Sequence, residues 1–429
     1  MYSLAKVSVP PPMDGLPAFS RGCEMSTTSF PAHLCSISLA LVAFCALPVM
    51  GIEQETAGAI SGQSSQLEQA YRKAIATIES TDGAYAEGLS ESLLSLARNL
   101  QSQDRHNEAI ELFRRGSHLA RINEGLYCEK QIPLVSGEIG SHVSTGNFTL
   151  ADQRQNYLLR VQLRALPSGE PLTDALAAHA KWQFQAYRLG MDEGYTRLMA
   201  MSDYYESARD NVIAREGKTS PNQLPPLYGL LQAQYLIASH RLVEPVPRFG
   251  EESERLDQDI VRFNRYQGKS YAKGNALIDA IYTIRQEHFD QDKLNLAQTL
   301  VMLGDWRLWN GNSADAFEAY SDAEAELAEQ DDAQFHTAQL FGEPVPLPDF
   351  PSLSPLPSSV NPEEAHIRVT FGVNEKGKVE DIERLDENDN FERQARNIMR
   401  TLRRTKFRPR FEAGQPLETH NLVKTFNIQ

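Results

Sequence analysis

Residues 93–113 read LLSLARNLQSQDRHNEAIELF, and residues 300–320 read LVMLGDWRLWNGNSADAFEAY. Counted from the first residue, both stretches carry apolar or small residues at offsets 0, 3, 4, 16 and 20. In each stretch a polar turn, at 104–107 or at 311–313, separates two runs of helical period. The pattern predicts a pair of helices in each stretch, and apolar residues at helical spacing continue over residues 65–340.

The recurring positions resemble the tetratricopeptide repeat. In that family, small residues allow two antiparallel helices to approach closely, and a large residue fills the space between pairs. The resemblance implies a stacked array whose groove binds a peptide or a protein segment, while the residues that carry the pattern are core. A weaker copy begins at 146–151, whereas residues 165–290 are assigned to the array by helical composition alone. The matching residues are Leu93, Leu96, Ala97, Ala109, Phe113, Leu300, Leu303, Gly304, Ala316 and Tyr320.

Composition restricts the classes of function. The chain has 429 residues, of which 42 are basic and 57 acidic, for a net charge of −15. An acidic chain is a poor general binder of nucleic acid, because phosphate contacts need clustered Lys and Arg. No apolar stretch is long enough for a polytopic membrane protein. The four cysteines are too few for a disulfide scaffold in a chain of this length.

The N-terminus predicts export from the cytoplasm. Residues 34–51, LCSISLALVAFCALPVMG, are apolar and end in small residues before a polar run. This pattern favours a cleaved signal peptide, and an uncleaved N-terminal anchor is the alternative for residues 1–51. Met25 is a plausible true start, with residues 1–24 a mis-assigned beginning. We therefore expect a secreted protein, with membrane anchoring as the variant.

Residues 341–362 are rich in proline and predict a linker. Alternating prolines favour an extended polyproline II conformation, which spans on the order of 60 Å over this segment. We expect a semi-rigid spacer between two domains. Its prolines are Pro344, Pro346, Pro348, Pro351, Pro355, Pro357 and Pro362.

Residues 363–429 change to strand period. Apolar residues alternate with polar ones over 367–373, and a turn at 374–378 precedes a return strand at 379–385. Apolar residues between 391 and 402 follow helical spacing, 411–416 is a turn, and 417–428 is a last strand. The order β-β-α-β gives a small C-terminal domain, so the fold class is α+β and multidomain.

This domain resembles the C-terminal domain of the TonB family. The resemblance rests on VTFGVNEKGKV at 369–379, LRRTKFRP at 402–409 and GQPL at 414–417, with Phe391 and Ala395 between them. Its family-motif residues are Gly377, Phe391, Arg403, Phe407, Pro409 and Gly414. The resemblance implies a domain in the periplasm of a Gram-negative bacterium, with inner-membrane anchoring as the variant. Such a domain adds a segment of an outer-membrane transporter, or of another envelope protein, as a strand at its sheet edge. The implied edge is Leu422, Val423, Lys424, Thr425, Phe426 and Asn427.

Six basic side chains crowd around residue 400, where they form either a solvated surface or a contact for an acidic partner. They are Arg400, Arg403, Arg404, Lys406, Arg408 and Arg410.

Motifs for catalysis, phosphate binding and metal binding are missing from the sequence. We expect no enzyme, no catalytic residues, no cofactor, no metal, no nucleic acid and no small-molecule substrate. The TonB resemblance implies an adaptor, similar to an energy transducer, that acts in transport across the outer membrane. The alternative is a scaffold for envelope assembly that forms homodimers through the same strand edge. An envelope hydrolase is a third interpretation, and no nucleophile–base pair supports it.

Overall fold

The computed structural model of the protein describes residues 52–242, 251–328, 330–350, 352–361, 365–386 and 389–427. The predicted leader, residues 1–51, lies outside them. Residues Met1–Gly58 form one unit, of which only the beginning of the first helix is described, and Ala59–Gln429 form a second. In the described ranges no helix combines the length and the apolar character needed to cross a membrane.

Helices dominate the described chain up to residue 341 and pair as antiparallel hairpins. The pairs are α2–α3, α4–α5, α6–α7, α8–α9 and α10–α11, and each hairpin packs on the next. The predicted turns at 104–107 and 311–313 separate α2 from α3 and α10 from α11. The helical repeat array is therefore confirmed, and it continues through residues 165–290. The helices are α1 (Ile52–Thr81), α2 (Leu89–Gln101), α3 (His106–Glu124), α4 (Gln131–Ser144), α5 (Phe148–Ala165), α6 (Glu170–Arg188), α7 (Tyr195–Glu216), α8 (Leu224–Ser239), α9 (Glu251–His288), α10 (Lys293–Trp309), α11 (Ser313–Leu327), α12 (Ala333–Phe341) and, further on, α13 (Glu392–Arg404).

Close approach between helices depends on a small residue that faces an aromatic ring. A Cβ atom at Gly304 in α10 would lie 2.2 Å from Cε1 of Tyr320 in α11, so the ring occupies the space beside the glycine. This pair belongs to the predicted repeat positions. In the central hairpins, Gly229 in α8 receives the ring of Tyr205 in the same way, with 2.4 Å to the nearest ring atom. The same packing principle thus operates there at different positions, which is why the repeat pattern is not visible in that part of the sequence.

The C-terminal region is a small antiparallel sheet covered by one helix. The sheet has the order β3–β2–β7, and α13 buries Ala395, Ile398 and Leu402 against it. The predicted β-β-α-β order is observed, and short strands are present in addition between α13 and the last long strand. The strands are β1 (Val345–Leu347), β2 (Ile367–Val373), β3 (Val379–Arg384), β4 (Lys406–Arg408), β5 (Arg410–Glu412), β6 (Gln415–Leu417) and β7 (Thr419–Phe426).

The Pro-rich segment does not extend away from the array as the sequence predicted. Its residues 343–350 and 352–361, hereafter the strap, lie against both folded parts. Within it β1 pairs with β4, so that Val345 lies opposite Arg408 and Leu347 opposite Lys406. Leu347 is 2% exposed and packs in the core of α10, α11 and α12. The reason is that burying the apolar side chains between the prolines lowers the free energy of the folded chain more than leaving them solvated in an extended segment would.

Candidate functional site

The strand that the sequence predicted as the partner-binding edge lies at an edge of the described sheet. Strand β7 pairs on one side with β2, and β3 lies beyond β2. The side chains of the six predicted residues differ in accessibility. Val423 is 49% exposed, whereas Thr425 and Phe426 are buried, Phe426 to 1% exposure. Phe426 therefore belongs to the core of the C-terminal region, and Val423 and Asn427 are the exposed residues of the six.

The strap covers one end of this edge. The amide of Val360 donates a hydrogen bond of 3.1 Å to the carbonyl oxygen of Thr425. The hydroxyl of Ser359 donates to the same oxygen atom at 3.2 Å, and the hydroxyl of Thr425 donates to the Val360 carbonyl. Because backbone groups alternate in direction along an antiparallel strand, the N–H and C=O of Val423 point to the same side as those of Thr425. The edge is thus capped at its last residues and presents Val423 beyond the cap.

Two of the family-motif residues meet between β2–β3 and β4. Gly377 has φ of +71°, and its carbonyl oxygen accepts a hydrogen bond of 2.8 Å from the amide of Phe407. A Cβ atom at Gly377 would lie 2.0 Å from the Phe407 carbonyl oxygen, so this contact requires glycine. The Phe407 ring is buried and lies 5.6 Å from the ring of Phe371. These two motif residues are therefore structural.

The other motif residues have separate environments. Phe391 stacks on the ring of His366 at 4.5 Å, and Pro409 is buried between β4 and β5. The amide of Gly414 donates a hydrogen bond of 2.8 Å to the carboxylate of Glu324 in α11, a residue of the array. Arg403 is exposed on α13. The structure does not gather the six motif residues into one site.

The basic cluster around residue 400 separates into two groups. Arg408 is buried, and Lys406 donates a hydrogen bond of 3.0 Å to the Leu308 carbonyl oxygen at the end of α10. Arg410 pairs with Glu412 on the surface. The predicted cluster did not include Arg393 and Arg396. These two arginines lie in earlier turns of α13 and are exposed together with Arg400, Arg403 and Arg404.

A buried ion pair connects the C-terminal region to the array. The Arg408 guanidinium lies 2.7 Å from the carboxylate of Asp305 in α10, and both side chains are about 5% exposed. Tyr320 donates a hydrogen bond of 2.8 Å to the same carboxylate. Burial raises the pKa of Asp305 to about 6, although the charge of Arg408 acts in the opposite direction. The sequence analysis did not predict this pair. An aspartate beside Gly304, on the apolar side of a helix, is the pattern that could have indicated a buried ion pair.

The inner face of the array is the surface shared by α6, α8 and α10, the first helices of three hairpins. Its aromatic residues are core, as the sequence predicted: Trp306 is fully buried, and its ring lies 4.7 Å from that of Tyr235. Phe350 of the strap lies 5.9 Å from the same tyrosine ring, and Leu353 joins this cluster. The predicted groove for a peptide is therefore occupied in part by the protein's own Pro-rich segment.

A cavity of about 600 Å³ remains on the inner face where the strap and β4 cross it. Its wall includes Lys181 of α6, Tyr228 of α8, Arg285 of α9 and Met302 of α10. Phe350 of the strap closes another side. This volume is in the range of pockets that hold small molecules.

No known family model matches the chain, and no curated protein matches it. Among solved structures, BtubC (BKLC) from P. vanneervenii is 14% identical with a TM-score of 0.37, and the match covers 62% of this chain and 89% of that one. A putative kinesin light chain from Podosopora anserina with TPR-like repeats is 13% identical, with a TM-score of 0.34 and coverage of 51% and 93%. A Rap protein complexed with competence and sporulation factor is 12% identical, with a TM-score of 0.27 and coverage of 67% and 72%.

Proposed function

We propose that the protein is an adaptor of the cell envelope that captures an extended segment of another envelope protein at the edge of β7. The observation that carries the proposal is the outward-facing backbone of Val423 on an edge strand. An added strand satisfies such backbone groups with hydrogen bonds, which supply affinity, while side chains supply specificity. The resemblance of residues 369–417 to the TonB family supports an outer-membrane transporter as the partner and the periplasm as the compartment.

The geometry of the edge restricts what it can hold. A register shift of β7 against β2 and the positive φ of Asn421, 55°, interrupt the edge, which leaves a regular stretch from Leu422 to Lys424 of about 10 Å, at roughly 3.3 Å for each residue. The cap of Ser359 and Val360 blocks continuation beyond Thr425. The captured segment would therefore be short, and it would lie antiparallel or parallel beside residues 422–424 only.

The docked strap changes the kind of adaptor that we propose. A transducer with a long free spacer would need the C-terminal region to move far from the array. Here β1, Leu347 and Arg408 hold this region on α10 and α11. We therefore propose a rigid adaptor, in which the array supplies surface for a second protein partner and β7 captures the first.

Substitution of Val423 tests the proposal. Proline at this position removes the outward N–H while the bonds of β7 to β2 remain, because edge strands accept proline there. Val423→Ala keeps the N–H and is the matched control. We would label valine amides of the full chain with ¹⁵N and titrate a peptide with the sequence of a TonB box. We expect saturable shifts at Val423 and at no buried valine of the natural protein. Because both variants lack the labelled Val423, calorimetric titration measures their peptide binding, which should be lost in Val423→Pro but not in Val423→Ala.

Absence of shifts from a folded protein would contradict the adaptor function. The same edge favours one second candidate, the homodimeric scaffold, because an unpaired edge strand can also pair with a second copy. Sedimentation of the same variants separates the two. A dimer that becomes a monomer only in Val423→Pro, together with no response to the peptide, would establish the scaffold instead.

A further inference from the structure

The cavity on the inner face has a cationic end. The Arg285 guanidinium donates a hydrogen bond of 2.8 Å to the hydroxyl of Thr299 and another to the carbonyl oxygen of Asn295. Both acceptors are neutral. Lys181, from α6, lines the same cavity. In the ranges that the structure describes, no ion pair includes either cation, so both charges are available to an anion.

The length of the cavity follows from the residues of α10 that line it. Its wall residues Gln298, Val301, Met302 and Asp305 follow the spacing of one helical stripe. Arg285 contacts α10 at Thr299, and Asp305 lies six residues further, about 9 Å along the helix axis at roughly 1.5 Å for each residue. Between these positions Val301 and Met302 form an apolar wall.

The opposite end of the cavity repels anions. It contains the Asp305–Arg408 ion pair, and Asp349 of the strap lies 3.5 Å from the same guanidinium with 55% of its side chain exposed. Two carboxylates therefore face one guanidinium there. Leu340 and Phe350 add apolar surface to the wall. An anionic group in this cavity is thus favoured at the end of Arg285.

We propose that this cavity binds an apolar carboxylate, with the carboxylate at Arg285 and an apolar body of about 9 Å beside Val301 and Met302. A medium-length acyl carboxylate such as octanoate has this chemistry, and so does the free carboxyl end of an apolar tripeptide. Methionine adapts to ligands of different shape, which suits either source. The site is independent of the β7 edge and goes beyond the adaptor function.

Binding at this site would stabilise the docked strap. Phe350 and Arg408 belong to the wall, and both come from the part of the chain that closes the inner face. A ligand that contacts the closed form and not an open one shifts the population toward the closed form by mass action. The proposed ligand therefore acts on the same contact that fixes the C-terminal region to the array.

Calorimetric titration of the full chain tests the proposal with two pairs of ligands. The first pair is octanoate and its neutral amide, octanamide. The second is acetyl-trileucine with a free carboxyl group and the same peptide as a carboxamide. We expect one carboxylate of the two pairs to bind, with its amide about ten-fold weaker or more, because a charge-assisted hydrogen bond is lost. The pair that binds identifies the source. Equal binding of acid and amide, or no binding in either pair, would overturn the proposal.

Variants show where the ligand binds. Arg285→Gln should weaken carboxylate binding by about ten-fold or more, whereas Arg265→Gln, at an exposed position of the same helix, should leave it unchanged. Because Arg285 also contacts α10, Ala177→Phe supplies an independent variant that fills the cavity from α6. Circular dichroism confirms the helix content of each variant. Unchanged binding in a folded Ala177→Phe protein would place the ligand elsewhere and refute the assignment.

Discussion

Buried ionisable side chains join successive hairpins of the array. Asp152 of α5 accepts two hydrogen bonds of 2.9 Å from the Arg197 guanidinium in α7 and one of 2.7 Å from the indole of Trp182 in α6. His179 of α6 is buried beside this cluster, with its ring 4.6 Å from that of Tyr204. Burial lowers the pKa of His179 to about 4, and the nearby carboxylate of Asp152 only partly opposes it. The histidine is therefore held neutral in the folded protein.

This histidine predicts a pH dependence of stability. In the unfolded chain its pKa is near 6.5, so between about pH 6.5 and 4 the unfolded state binds a proton that the folded state does not. The free energy of unfolding must therefore fall as the pH falls through this window, by at most about 3 kcal/mol from this group. Urea unfolding of the natural protein and of His179→Gln at several pH values measures the effect. The variant should lose less stability on acidification, and equal slopes would contradict the prediction.

At the scale of elements, the strap is the segment whose structure departs most from its sequence pattern. Proline and extended conformation suggested a spacer, and the segment is indeed extended where β1 forms. However, Val345–Leu347 pairs with β4, and Ser359 and Val360 bind β7. The strap thus contributes β1 to the two-stranded sheet with β4, and it caps the edge strand β7 of the three-stranded sheet.

A substitution in the strap distinguishes docking from a free spacer. Leu347→Ala should lower the free energy of unfolding by about 2–5 kcal/mol, since it deletes a buried side chain and leaves a cavity in the core with Phe411. Leu385→Ala, at a position that is 46% exposed, is the control and should change stability by no more than about 0.5 kcal/mol. Denaturant titration gives both values. If Leu347→Ala behaved as the control does, the strap would be a spacer after all.

On the scale of the whole molecule, the array and the C-terminal region share part of a core, because Phe411 packs among array residues, while β2, β7 and α13 enclose a separate core. Phe411 of β5 packs against Tyr320 and Phe341 of the array, with ring centroids 5.5 and 5.6 Å apart. The Asp305–Arg408 pair lies beside this aromatic cluster. A shared core predicts that the two parts unfold together, unlike two domains on a flexible linker.

Arg408→Met tests this cooperativity. The variant leaves the Asp305 carboxylate buried without its cation, which should cost about 3–5 kcal/mol of stability. Differential scanning calorimetry should show a single transition for the natural protein, and an earlier separate transition of the C-terminal region in the variant. Arg410→Met, which removes an exposed arginine paired with Glu412, is the matched control. The shared core would be refuted if the natural protein already unfolded in two steps.

Local patterns in the sequence determined the elements of this protein. Offsets between Leu300 and Tyr320 predicted a helical hairpin, and alternation over 367–373 predicted β2, because helix and strand periods repeat within a few residues. The edge position of β7 followed from the TonB resemblance. That resemblance did not reveal that Phe426 is buried or that Val360 caps the edge.

Only the tertiary structure decided how the elements meet. Asp305 and Arg408 are 103 positions apart, Gly414 and Glu324 are 90 apart, and no periodicity relates residues over such separations. The inner-face cavity likewise needs residues from six helices, the strap and β4. Burial and ion pairing depend on which surfaces come together in space, so the docked strap and the closed inner face are properties of the folded chain alone.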